Sequence, residues 1–570
     1  MIGWPIRTLI RLVVLPLAVL LGLRRRLGLG RRCVITMVVG AEGRRAPLAE
    51  RLRLLSVLAD VAADPKVQCL QVEIRSTAMG LAALQALRQA VVEVRQAGKR
   101  VVVRLDAADD RALYLASAAD EIWMPPGGEV HLTGLVAPMM FYGPALQRLG
   151  LVVEVEAAGI YKSFGEPYYR GFPSAANRDA SLAMIGDLHA HIQQTIAQGR
   201  GLDLDGLSAA AEVGMMGAQQ AQELGLIDHV GYPDEMADSL EEALDGKPGL
   251  RSIERYRRGR RLPDWLARLG RSMPRVAVVY LQGPVVERVP RMGSSRRVIA
   301  SDEVVPVLDE LRESKHVKAV VLVVESPGGS ALASDLIARA VERLDAQKPV
   351  VATMESVAAS GGYYVCAPAR EIVARATTLT GSIGVIGGKL VVGEAMDALG
   401  VHTELLGPGA DGGIGGPFRR MTQAQRARFQ ESLRRVYTRF IDVVSTGRDT
   451  PESEVLEVAE GRVWTGQQAK ANGLVDHLGG LPVALTRVQA LADLTDKEIR
   501  QLTVRFDPPR FSLLNLALGR AGATLADPVG LALEAVGPSG QFVEAIRANP
   551  EQALALEPIP WDSDAWQDWR

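Results

Sequence analysis

The chain has 570 residues, 48% of them hydrophobic and 23% charged, with a formal net charge of −1. That composition excludes a disordered polypeptide and a nucleic-acid surface spread over the whole molecule, and the length calls for at least two domains. Three cysteines with no CxxC and no Cys/His cluster exclude a disulfide framework and a zinc site.

The basic charge is local: residues 1–32 hold seven arginines and no acid. Leu9 to Leu23 is apolar except for Arg11 and is followed at once by Arg24-Arg25-Arg26. A helix of that length covers roughly 22 Å of a hydrocarbon core about 30 Å thick, and Arg11 can snorkel to lengthen it. With no small-residue cleavage site after it, the segment reads as a retained membrane anchor in contact with lipid. An in-plane interfacial helix is the alternative. The arginines after the segment outnumber those before it, a bias that by itself holds the bulk of the chain in the cytoplasm.

Cys33 to Val39 and Val67 to Ile74 read as buried strands. Between them lies an amphipathic helix with Leu48, Leu52, Leu55, Leu58 and Ala62 toward the core. A helix from Leu81 to Ala97, stopped by Gly98, and a strand from Arg100 to Leu105 complete a βαβ alternation. The alternation returns as strand Val276 to Tyr280, helix Asp302 to Glu313, strand Ala319 to Val324, helix Ala331 to Asp345 and strand Val350 to Met354. Between the two runs, residues 244–274 carry Arg251, Arg255, Arg257, Arg258, Arg260 and Arg261 and read as a basic linker, with contact to anionic lipid heads as the sharper alternative. Pro408 to Pro417 must turn tightly or move, and beyond about residue 500 the pattern becomes irregular.

The two runs are one domain written twice. At a spacing of 250, Glu371-Ile372 falls on Glu121-Ile122, Gly384 on Gly134 and Leu399-Gly400 on Leu149-Gly150. GLIDHVG from Gly225 returns as GLVDHLG from Gly473. The domains expected are a membrane anchor over 1–32, tandem α/β domains over 33–243 and 275–492 joined by the linker, and a tail over 493–570 with no assigned function.

The copies differ in a complementary way. Ser360 in Ala-Ala-Ser-Gly-Gly faces Asp110, and the turn Ser326-Pro327-Gly328-Gly329-Ser330 faces Ser76-Thr77-Ala78-Met79-Gly80. Lys162, in Tyr-Lys-Ser-Phe-Gly-Glu-Pro-Tyr, faces Gly412. One site is therefore expected to be split between the halves. A serine between a strand and a helix start sits beside free N–H groups that favour developing negative charge, which suits a nucleophile; an N-cap serine is the plain alternative. Two glycines after a buried strand let backbone amides approach a carbonyl oxygen, although the same sequence also makes an ordinary turn.

A nucleophilic serine needs a base. His229 and His477 occupy matching positions and read as structural, His316 sits in a helix-to-strand turn, and His402 is expected at a strand start. Lysine is the histidine-free option, but at its ordinary pKa only about one molecule in two thousand is neutral at pH 7. Burial must lower that pKa by roughly 3 units, and the aromatic and proline residues around Lys162 offer the setting. A surface lysine is the alternative.

Four ordered motifs carry a family resemblance over about residues 33–490. They are Tyr161-Lys162-Ser163 with Glu166-Pro167, Ser326-Pro327-Gly328-Gly329-Ser330, Ala359-Ser360-Gly361-Gly362-Tyr363-Tyr364 and Leu379-Thr380-Gly381-Ser382-Ile383-Gly384. With them the chain resembles the signal peptide peptidase A (protease IV) family in its long, duplicated, membrane-anchored bacterial form. The resemblance implies tandem Clp-protease/crotonase-like α/β domains, a Ser-Lys dyad and a homo-oligomer, a tetramer, at the bacterial inner membrane. It also implies that the catalytic domains lie outside the cytoplasm and that signal peptides and other hydrophobic peptides are the substrates.

By the same resemblance Ser360 is the nucleophile, Lys162 the general base and Ser382 the residue that orients the lysine. The amides of Gly328 and Gly361 are the oxyanion donors, and neither metal nor other cofactor is required. Glu325 stands where the family usually has Asp or Asn, and a carboxylate there is expected to raise the lysine pKa. The small Ala358 and Ala359 are expected to favour hydrophobic peptides at the site. Two other classes remain open: a crotonase-like acyl-CoA enzyme, which needs carboxylates rather than Lys162, and a non-catalytic membrane scaffold, indifferent to loss of Ser360.

Overall fold

A computed structural model describes residues 32–40, 48–258 apart from 245 and 247, 275–289, 297–499 apart from 410, 502–506 and 554–555. The anchor expected over residues 1–32 lies outside the described residues, apart from Arg32. Among those described, no helix is long and apolar enough to cross a membrane.

The described residues divide into two compact units, and the division does not follow the sequence repeat: residues 137–184 belong with those described between 275 and 555, and those described between 185 and 258 with those between 32 and 136. The first unit is built on six parallel strands in the order Gly249–Ser252, Cys33–Val39, Val67–Ile74, Arg100–Leu105, Glu121–Met124, His229–Val230. Helices Leu48–Ala63 and Leu81–Gln96 provide the crossovers that parallel strands require. In the first of these, Val57 and Val61 are buried and Leu55 and Ala62 lie at the flank, because the apolar stripe runs through Leu48, Leu52, Leu58 and Val61.

The basic stretch after residue 244 is not linker throughout. Gly249–Ser252 pairs with Cys33–Val39 as an edge strand, and Ile253 and Tyr256 join the core. Backbone pairing, not an apolar pattern, holds this strand, whose four residues are all exposed.

In the second unit the central strands Val276–Gln282, Ala319–Ser326 and Val350–Ala359 lie parallel and adjacent. Residues 319–324 (AVVLVV) are fully buried, as an unbroken Val/Leu run must be when helices cover both faces of a sheet. The sheet continues at one edge into Leu502–Phe506, a strand in the region expected to be irregular. Val350–Ala359 runs five residues beyond its expected end. Glu371–Ala374 pairs with its first half and Leu379–Gly381 with its last. A register shift between Val324 and Ser326 sets Ser326 opposite Ala358, two residues from Ser360.

A second sheet in this unit pairs Val152–Ala158 antiparallel with Val385–Val391, so that a strand from the first repeat lies against one from the second. Gly329–Ser330 and Leu554–Ala555 belong to the same sheet. His402, expected at a strand start, lies in irregular backbone beside Asp397. The glycine-rich stretch after Pro408 makes successive short turns, closed by Ile414 N–H on Asp411 O and Gly416 N–H on Gly413 O.

Candidate active site

Ser360 joins the end of strand Val350–Ala359 directly to helix Gly361–Cys366 with φ 54° and ψ −121°. A non-glycine residue in that region costs on the order of 1–3 kcal/mol and is kept only where its surroundings enforce it. The enforcement is visible. Ser360 N–H donates to Gly381 O at 2.8 Å, and Tyr364 N–H donates to Ser360 O at 2.9 Å. Gly361 and Gly362 let the helix settle onto the Ser326 turn: a Cβ at 361 would lie 2.5 Å from Ser334 Oγ, and one at 362 would lie 2.6 Å from Ser326 O. Tyr363 Oη donates to Leu474 O at 3.0 Å and Tyr364 Oη to Asp335 Oδ1 at 2.8 Å, fixing the helix at its far side. The Ser360 side chain makes no capping bond, so the N-cap alternative does not describe it. A strained strand-to-helix turn is one way a fold can hold a serine hydroxyl in a fixed direction.

Lys162 follows the strand Val152–Ala158 and belongs to the same compact unit as Ser360. Its Nζ donates to Ser360 Oγ, to Ser382 Oγ and to Ser382 O, each at 2.9 Å. Ser382 holds φ 51° and donates its N–H to Arg462 O at 2.7 Å. Three donors with three acceptors satisfy the ammonium completely, yet its environment is dry, with Lys162 5% exposed. Burial brings its pKa down to about 7, and no neighbouring carboxylate offsets the shift. Glu325, expected to raise it, has no part in this; its carboxylate accepts from Gln282 Nε2 at 2.9 Å. A lysine held near neutral pH can take a proton from a hydroxyl it already touches.

The two expected oxyanion donors differ. Gly361 N–H belongs to the first turn of its helix, where no intrahelical acceptor exists. Gly328, at φ 111°, turns its N–H onto Ser326 Oγ at 3.2 Å. Ala358 and Ala359, expected to shape a specificity pocket, are fully buried, Ala358 within the apolar core. They are packing residues, because the long strand carries them into the sheet interior. Cys366 is also buried, and burial raises its thiol pKa.

The corresponding place in the first unit has different chemistry. Asp110 begins helix Asp110–Ala116, and its carboxylate accepts from Gly134 N–H at 3.1 Å. Burial raises its pKa. Beside it a cavity of about 360 Å³ is lined by Arg75, Ser76, Thr77, Asp109, Arg111 and His131 among others.

The turn Glu460–Arg462, which sequence reasoning passed over, contacts both the Lys162 and the Ser382 loops. A signal was available: aligned through GLVDHLG, Gly461 stands where the first copy has Val213, a difference of the same kind as those at 162 and 360.

The chain is 28% identical to "Serine protease SPPA, chloroplastic" from Arabidopsis thaliana over 434 residues, 76% of this chain and 64% of that protein, so it spans less than two thirds of that relative. It is 32% identical to "Protease 4" from Salmonella typhi over 428 residues, 72% of this chain and 67% of the relative. A ClpP1 variant from Listeria monocytogenes aligns over 36% of this chain and 93% of its own at 11% identity, with a TM-score of only 0.24; the fold assignment rests instead on the strand order. The family model for peptidase family S49 matches twice, over residues 93–247 and 342–495, once in each repeat. Two tandem matches to that domain, together covering more than half of the chain, place it in peptidase family S49.

Proposed function

We propose that this chain is a membrane-anchored serine endopeptidase with a Ser-Lys dyad, acting on hydrophobic or unfolded peptides, cleaved signal peptides among them, through an acyl-enzyme. The observation that carries the reading is the 2.9 Å hydrogen bond from buried Lys162 Nζ to Ser360 Oγ, supported by a lysine pKa of about 7.

In the reaction, neutral Lys162 accepts the Ser360 hydroxyl proton as Oγ attacks the scissile carbonyl carbon. The negative charge that develops on the carbonyl oxygen is met by Gly361 N–H at the helix start. Lys162 then gives its proton to the leaving amine, the C–N bond breaks, and an ester to Ser360 remains. Water enters, yields a proton to Lys162 as its oxygen attacks the ester carbon, and the ester bond breaks with that proton returning to Ser360 Oγ. Ser382 holds the lysine through both steps with its hydroxyl and its carbonyl, so the base does not swing away between them.

The membrane association rests on the apolar, arginine-flanked stretch Leu9 to Leu23, and the homo-oligomer and the substrate class rest on the family motifs. A test is to mix the full chain with a leucine- and alanine-rich peptide, quench in acid, and search for a peptide mass on the fragment containing Ser360. The reading expects the adduct in the wild type and its absence in Lys162→Met. An adduct on another residue, or an undiminished one in Lys162→Met, contradicts it.

A further inference from the structure

Three turns meet beside the dyad, and each brings a glycine to the meeting point. A Cβ at Gly159 would lie 2.5 Å from Glu460 C, one at Gly384 would lie 2.8 Å from Gly461 Cα, and one at Gly461 would lie 2.6 Å from Lys162 N. The central turn is Glu460–Arg462. Glu460 adopts φ 53° and Gly461 φ 78°, a consecutive left-handed pair unusual for a glutamate.

This turn binds the base on one side and its orienting residue on the other. Tyr161 N–H donates to Glu460 O at 2.8 Å, and Ile160 N–H donates to Glu460 Oε2 at 3.0 Å. On the opposite side Gly461 N–H donates to Ile383 O at 2.8 Å, and Ser382 N–H donates to Arg462 O at 2.7 Å. Glu460 is itself held: its N–H donates to Tyr437 Oη at 3.2 Å, and that hydroxyl reaches Glu460 Oε1 at 3.4 Å. The Arg462 guanidinium lies over the rings of Tyr161 and Trp464 at 5.0 and 4.6 Å and sits 3.6 Å from Asp179. The first repeat keeps one of these bonds, Leu132 N–H to Gly214 O. That bond is common scaffold; the glutamate contacts to residues 160 and 161 and the glycine at 461 are the parts that touch the lysine turn.

We infer that Glu460 is a positioning residue for catalysis, which through the turn Glu460–Arg462 holds Lys162 and Ser382 in the arrangement that lets Lys162 reach Ser360. The inference rests on the dyad reading above. Glu460 touches neither substrate nor reacting atoms; it acts on where the base sits. The carboxylate accepts from Ile160 N–H, while Tyr161 N–H is held by the Glu460 backbone carbonyl, so glutamine, which keeps a side-chain acceptor for Ile160, substitutes for the carboxylate and alanine does not.

The test is steady-state hydrolysis of a fluorogenic hydrophobic peptide by the full chain, from mildly acid to alkaline pH, for wild type, Glu460→Ala, Glu460→Gln and Ser360→Ala. Glu460→Ala is expected to lower kcat by about 10- to 100-fold with KM nearly unchanged, as a misplaced base does. Its acid limb is expected at higher pH than in wild type, because a loosened lysine turn admits water to the ammonium. Glu460→Gln is expected to recover most of kcat and the wild-type limb. Wild-type kcat and limb in Glu460→Ala overturn the inference, as does a fall in activity that follows a lowered melting temperature while the limb stays in place. Activity surviving in Ser360→Ala sinks the dyad reading itself, a separate failure. If Glu460→Ala does not fold, Tyr437→Phe, which removes the hydroxyl holding Glu460, is read in the same way: an upward shift of the limb supports the inference and an unmoved limb with full kcat opposes it.

Discussion

Lys162 Nζ lies 2.9 Å from Ser360 Oγ across 198 residues of sequence. The lysine comes from the first sequence repeat and the serine from the second, yet both lie in one compact unit, because Val152–Ala158 pairs with Val385–Val391 and carries the lysine turn with it. The two side chains meet within one chain, a point on which the sequence was silent.

The first prediction concerns pH. Lysine acts as base only when neutral, so activity rises as pH passes through its pKa in the folded protein. With that pKa at about 7, the acid limb of kcat/KM for a neutral peptide should have its midpoint near neutrality, far below an ordinary lysine. Lys162→Arg, charged at every accessible pH, should be inactive throughout. A midpoint near that of a free lysine would contradict the account.

The same shift has a stability consequence. Lys162 has a pKa of about 7 folded against 10.5 unfolded, so between those values the unfolded chain binds the extra proton. Unfolding free energy should therefore rise with pH across that window, by up to about 1.4 kcal/mol per pH unit from this group, and flatten above it. Lys162→Met lacks the term. The difference in denaturant stability between wild type and Lys162→Met, followed from neutral to alkaline pH, measures it; parallel curves would refute it.

A third prediction concerns the strand that carries the lysine. Glu154, almost fully buried, accepts from Arg426 Nη2 and Met421 N–H at 2.8 Å each and lies 3.9 Å from buried Lys389 Nζ. Removing one partner from a buried ion pair leaves the other charge uncompensated, at a cost of about 3–5 kcal/mol. Glu154→Gln should lower stability toward that range, while Glu154→Gln with Lys389→Met should restore part of the loss. Chemical denaturation of the three proteins decides it, and a neutral single variant would be the contrary result.

The sequence made some features legible through repetition. Comparing the copies singled out Ser360 and Lys162, because a residue lost from one half and kept in the other stands out without any alignment to other proteins. The Val-rich central strands were equally plain from their unbroken apolar runs. What stayed hidden depends on backbone geometry and long-range packing. The left-handed φ values of Ser360, Ser382 and Glu460 follow from the hydrogen bonds that surround them, which no local pattern announces. Gly249–Ser252 carries no apolar signal, and Ala358 and Ala359 looked available only because the strand was read as ending at Met354.

The most direct test of the central claim is hydrolysis of a hydrophobic signal-like peptide by the full chain as wild type, Ser360→Ala, Lys162→Met and an equal mixture of the two variants. The account predicts an active wild type, loss on the order of 10⁴-fold or more in each variant, and no recovery in the mixture, since each chain closes its own dyad. Activity in Lys162→Met, or recovery on mixing, would contradict it.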